Sequence, residues 1–152
     1  MSLYWPFLTP MLIVCVIACM IGIVCNFPML RVAVVIALNW AVNTAFCHYT
    51  DIYDPWWFFL LVDGLSAWAV LYHPAGKVQS LLGWTYIGQI LIHGVYGASE
   101  SDARDLYWRV LLDVGYAQLF ILGVWAGGYG GYRLWRRHRA RMADAQGAKG
   151  VA

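Results

Sequence analysis

MLRVAVVIALNWAVNTAFCHYTDIYDPWWFFLLVDGLSAWAVLY, residues 29–72, holds two apolar runs joined by a short turn. The runs, 29–49 and 56–72, are each close to the roughly 20 helical residues that cross a hydrocarbon core of about 30 Å. The join carries Asp51, Asp54 and Pro55, which are turn and helix-breaking residues. So short a join allows only antiparallel neighbours. This pattern continues on both sides. Further apolar runs occupy 7–25, 78–96 and 107–132. The breaks between them fall at Pro28, at His73, Pro74 and Gly76, and over 97–105. The expectation is an all-α, polytopic transmembrane bundle of about five spans, residues 1–135, followed by a basic and then disordered cytoplasmic tail, 136–152.

Composition agrees. Hydrophobic residues make up 62% of the 152 and charged residues 12%, about half the charged share of a soluble domain. The first ten residues, MSLYWPFLTP, lack the positive start of a secretory signal. The first run is therefore read as a retained span. Cys15, Cys19, Cys25 and Cys47 all lie in or beside apolar runs and read as reduced packing residues. Met11, Cys15 and Cys19 share a helix face, and packing is the simpler reading of that stripe than a soft copper site.

Charge chooses an orientation. Arg133, Arg136, Arg137, Arg139 and Arg141 cluster after the last run, which marks the cytoplasmic side. Five spans then put the N-terminus outside. Arg31, His73 and Lys77 fall in the inner turns, and Asp51, Asp54, Glu100, Asp102, Arg104 and Asp105 in the outer ones. Aromatic residues flank both interfaces: Tyr4, Trp5, Trp56, Trp57, Tyr107 and Trp108 outside, Tyr72, Trp84, Tyr132 and Trp135 inside. The basic tail suits anionic headgroups, and no nucleic-acid module is recognisable.

Polar groups within such spans are expensive and face the bundle interior. Asn39, Asn43 and Cys47 recur every four residues on one face. Tyr86, Gln89, His93 and Tyr96 occupy one arc of the fourth run, and Asp113, Tyr116 and Ala117 share a face with Gly127 and Gly131. A polar cluster of Asn39, Asn43, His48, Asp63, Gln89, His93 and Asp113 is expected in the outer half of the bilayer, open or nearly open to the outside. Three readings of it stay open. It is inter-helix hydrogen-bond glue, with Asp63 against His93 as a structural contact. It is a proton, ion or water path. Or it is a metal or haem site, with His48 and His93 as candidate ligands, although no pair of ligands shares a helix face as HxxxH would place them. No cofactor is expected in the first two readings. Gly123, Gly127 and Gly131 form a small-xxx-small ladder for close helix packing, within the chain or in a homo-oligomer.

Residues 39–97 resemble small multi-pass membrane proteins encoded by tailed bacteriophages. The likeness is carried by the polar second span, the D-G-L-S-A third span, the P-A-G-K turn and the Y-I-x-Q-I-x-x-H fourth span. It implies a bacterial inner membrane and supplies no catalytic residues. Roles typical of such proteins are holin-like permeabilisation, exclusion of rival phages and help in DNA passage; holins usually have fewer spans. G-x-S-x-G and HExxH are both absent. The expected function is therefore non-enzymatic: a holin-like or proton- or ion-conducting membrane protein. The alternatives are a haem or metal redox module and a structural or interaction protein whose partners are the bilayer, a second copy or another membrane protein.

Overall fold

The computed structural model describes residues 5–50, 55–99 and 104–149. Among these it contains five helices and no strand: α1 (Trp5–Cys25), α2 (Phe27–Thr50), α3 (Trp56–Leu71), α4 (Lys77–Ala98) and α5 (Arg104–Lys149). Tyr4, Asp51, Asp54, Glu100 and Asp102, assigned from sequence to one side of the membrane, lie outside the described residues.

The breaks are local chemistry. Asn26 separates α1 from α2, and its Oδ1 accepts the Met29 N–H at 3.3 Å, capping α2. Pro28 sits in the first turn of α2, where no N–H is needed. Pro55 starts α3, accepting from the Phe58 and Phe59 N–H groups. After α3 the backbone turns through His73 at φ 51°, a left-handed conformation uncommon for a side chain of this size. Gln79 then holds the turn from beneath. Its Nε2 donates to Val70 O at 2.6 Å and its Oε1 accepts from Ala75 N–H at 3.1 Å. Arg31 at the start of α2 donates to His73 O at 3.1 Å, tying this turn to its neighbour.

Each helix packs against its neighbours in sequence, and α5 returns to pack on α1, so the five close into a ring. The α1–α2 hairpin closes at Gly22, where an added Cβ would lie 2.6 Å from the Leu30 nitrogen. Trp56 of α3 lies flat over Gly97 of α4, and Gly83 of α4 takes Leu71. The α1–α5 seam is parallel: Gly123 faces Val14, and seven residues on Gly130 faces Ile21, seven beyond Val14.

Within the chain, this seam engages only part of the expected glycine ladder. Gly123 does contact α1, but Gly127 and Gly131 have nothing within 4 Å of an added Cβ. A step of four residues rotates about 40° around the helix, so Gly131 has drifted about 80° from Gly123, whereas a step of seven drifts only about 20°. The packing pair is therefore Gly123 and Gly130.

Polarity is the reverse of what water imposes. Asn39, Asp63, Ser66, Gln79, Gln89, His93 and Gln118 are buried, while Leu12, Ile17, Leu61, Leu65, Leu91 and Phe120 are exposed. Two of the helices, Phe27–Thr50 and α5 over Arg104–Arg139, are long and apolar enough to cross a membrane. Met11–Ile23 and Trp56–Leu71 are shorter apolar helices. At its end, α5 departs from the expected disordered tail. It continues as one helix to Lys149, about 69 Å in all. Arg, Ala, Met and Gln are good helix formers, and no proline interrupts them.

Candidate functional site

Four helices bring a chain of polar side chains into the ring. Asn39 of α2 is the hub. Its Nδ2 donates one hydrogen to Asp63 Oδ1 at 2.7 Å and the other to Ser66 Oγ at 2.9 Å, both on α3. Its Oδ1 accepts from Asn43 Nδ2 at 3.2 Å, one turn along α2. Ser66 passes its own hydrogen to Val62 O at 2.8 Å. The second Asp63 oxygen lies 2.9 Å from His93 Nε2 on α4. His93 Nδ1 in turn lies 2.7 Å from the hydroxyl of Tyr107 on α5. Asp63 and His93 are each 2% exposed.

This order, Asn43–Asn39–Asp63–His93–Tyr107, leaves both Asp63 oxygens and both His93 nitrogens engaged. With one proton on the ring, on Nε2, His93 donates to Asp63 and accepts from Tyr107. With two, it donates to both. The Asp63–His93 pair is neutral when it holds two exchangeable protons and singly negative when it holds one.

The surroundings close the site. Phe59 packs on His93 and on Trp108, both at 5.7 Å between ring centroids, and Tyr96 stacks on Tyr107 at 3.9 Å. These rings roof the pair at the end of the bundle where α3 and α5 begin. The sequence expectation of a cluster open or nearly open at that end is thus corrected: two of the aromatic residues assigned to the interfacial belt, Tyr107 and Trp108, turn inward over it, while Trp57 stays exposed. Toward the other end lie Leu82, Met29, Val32, Val70 and Leu122, all fully buried. Asn43, half-buried, is the most exposed member of the chain.

A second polar contact lies one turn along α4. Gln118 of α5 donates both Nε2 hydrogens, one to Gln89 Oε1 and one to Thr85 Oγ1, each at 2.9 Å. Gln89 therefore belongs to this α4–α5 pair and not to the Asp63 chain.

Of the residues singled out from sequence, Asn39, Asn43, Asp63 and His93 meet in one chain, and Gln89 lies beside it. His48 and Asp113 do not join it, and both placements are corrections. His48 is exposed in the last turn of α2, its ring edge-on to Tyr49. His93 has both nitrogens engaged by Asp63 and Tyr107, whereas the His48 ring meets Tyr49. Among the described residues no group of three or more His, Cys, Asp or Glu side chains converges. Asp113 does share a face with Gly127 and Gly131, but that face is exposed. The inward face of α5 carries Tyr107, Leu111, Gln118, Leu122 and Ala126, and Asp113 stands about 140° from Gln118 around the helix. Met11 and Cys15 are buried in the apolar core, and Cys19 packs against it.

Sequence reasoning missed Tyr107, Ser66 and Gln118 as members. The signal for Tyr107 and Gln118 was present, since positions 107, 111, 118, 122 and 126 follow one helical face. No protein-family model, curated protein or solved structure matches the chain.

Proposed function

We propose that this chain is a small, non-enzymatic, multi-pass protein of a bacterial inner membrane, of the kind phages encode. In this reading it alters permeability by moving protons through the Asp63–His93 site, alone or as a homo-oligomer, with the N-terminus outside and the C-terminus in the cytoplasm. The observation that carries the proposal is the pair itself. An ionisable carboxylate and an imidazole, both buried in an apolar bundle, are costly and mark functional sites by default. The pair can gain or lose one proton without breaking its bonds to Asn39 and Tyr107. In this reading four roles fall to named groups. Asp63 and His93 exchange the proton, Tyr107 orients the imidazole, Asn39 fixes the carboxylate, and the layer around Leu82 keeps the resting protein closed.

The test is proton flux in vesicles bearing the purified chain and an internal pH dye, with Asp63→Asn beside it. Asparagine keeps the shape. Its oxygen accepts from Asn39 and its nitrogen donates to His93 in the other tautomer, but it no longer exchanges a proton. Flux is expected to fall by about tenfold or more at equal insertion. Equal flux in both proteins removes the proposal.

A second reading is favoured by the complete engagement of Asp63 and His93, which suits inter-helix glue. It predicts that Asp63→Asn lowers thermal stability and leaves flux untouched. Orientation has its own check. A reporter active only in the periplasm, fused after Ala152, is expected to be silent, and activity there would invert the topology.

A further inference from the structure

At the other end of the bundle from the aromatic roof, a cavity of about 200 Å³ opens between two helix turns and α5. Its walls include Asn26 and Pro28 from the α1–α2 turn, Gly76 and Lys77 from the α3–α4 turn, and Trp125 and Tyr129 of α5. The lining is mostly apolar.

The charge around it has one sign. Residues 1–50, 64–99 and 114–143, which supply every wall, contain no Asp or Glu. Lys77 is exposed, and among the described residues no carboxylate pairs with it. Arg133, one turn beyond the cavity along α5, sets its guanidinium carbon 5.7 Å from the Tyr129 ring centroid and one nitrogen 3.4 Å from the Tyr129 hydroxyl. Lys77 is also the first residue of α4, where the helix dipole disfavours a cation, and no side chain caps that end. An anion in the cavity offsets that cost, whereas a mostly apolar lining gives water few partners.

The level of the cavity selects among anions. It lies where two helix pairs turn, and just beyond it along α5 come the exposed rings of Tyr132 and Trp135. In the topology proposed above this is the cytoplasmic headgroup layer, where amphipathic aromatic rings collect. A phospholipid presents a phosphate beside an apolar glycerol ester region, which matches a cation beside Trp125 and Pro28. Basic pockets between membrane helices on this side hold anionic headgroups. At about 200 Å³ the space suits a headgroup and not a whole drug-sized molecule, which takes roughly 300–1,000 Å³.

We propose that this cavity binds one anionic phospholipid, with its phosphate on Lys77 and its glycerol region on Trp125 and Pro28. The proposal rests on the multi-pass membrane reading above and not on its proton step.

The chain is first recovered from alkali-washed membranes; its absence there overturns the membrane reading and this site together. The full chain, purified in neutral detergent, is then titrated with dioleoylphosphatidylglycerol, dioleoylphosphatidylcholine or inorganic phosphate. Bound lipid is read by native mass spectrometry and stability by the thermal midpoint. One phosphatidylglycerol per chain is expected to stay bound and raise the midpoint, and the other two probes are expected to do neither. Lys77→Gln is expected to weaken phosphatidylglycerol binding by about fivefold, the equivalent of about 1 kcal/mol per basic residue. Without lipid its midpoint is expected to match the wild type or exceed it, since a cation leaves the helix start. Lys77→Arg is expected to retain binding, and Arg136→Gln, which removes an exposed charge away from the cavity walls, to change it less than about twofold. Equal retention of the two lipids overturns the site while leaving the membrane reading intact. Equal losses in Lys77→Gln and Arg136→Gln overturn it in favour of general attraction to the basic end. A midpoint raised as much by inorganic phosphate overturns it in favour of a free anion.

Discussion

Replacing His93 by alanine is expected to remove about 3–5 kcal/mol of stability, the cost of leaving one member of a buried ionic pair alone. Three losses combine. Asp63 Oδ2 loses the imidazole at 2.9 Å. The Tyr107 hydroxyl loses the ring nitrogen at 2.7 Å. The vacated ring leaves a cavity beneath Phe59. Set against a typical total of about 5–15 kcal/mol, this is enough to reduce accumulation in the membrane. The double variant Asp63→Leu with His93→Leu tests the cause. Replacing a buried pair by apolar residues of similar volume is often neutral, so the double variant is expected to be more stable than His93→Ala. Thermal midpoints in detergent give the comparison. A His93→Ala protein within about 0.5 kcal/mol of wild type, the range of ordinary surface changes, would contradict the buried pair.

The second large effect is expected at Gly22. A Cβ there would sit 2.6 Å from the Leu30 nitrogen, 2.7 Å from its Cβ and 2.8 Å from its Cα. These are mostly backbone atoms, and no rotamer change relieves them. Gly22→Ala is expected to cost about 1–3 kcal/mol by overpacking, and Gly22→Val more. The adjoining turn holds Leu30 in place as well, because its N–H donates to Asn26 O at 3.2 Å. Gly127→Ala is the control. Its added methyl enters open space, so the change is expected to be neutral or to gain up to about 1 kcal/mol of helix propensity. Equal thermal midpoints for Gly22→Val and Gly127→Ala would sink this account of the α1–α2 contact.

Helix number and the neighbourhood of Asn39, Asn43, Asp63 and His93 were legible because breaks carrying proline and glycine are local and because residues three or four apart share a face. The direction of a face was not. On a helix apolar nearly all round, periodicity says which residues travel together but not whether they point inward. Asp113 moved with Gly127 and Gly131 as expected, and the whole set faces outward. Tyr107 was obscured differently. An aromatic residue near a helix start suits an interfacial belt, and only the stagger of α4 against α5 turns its hydroxyl onto His93. Gly22 carries no pattern of its own, since a single close approach depends on where the partner helix folds back.

The ring of helices also has an order in time. The pairs α1–α2 and α3–α4 join residues close in sequence and can form early, when little loop entropy opposes them. The seam between α1 and α5 unites segments more than a hundred residues apart, so it closes last. The polar interior need not wait for that seam, because His93 and Tyr107 are 14 residues apart, Gln89 and Gln118 are 29, and Asp63 and His93 are 30. Its hydrogen bonds can therefore form before the ring closes, and what the last step covers is the apolar face where Val14 and Ile21 meet Gly123 and Gly130.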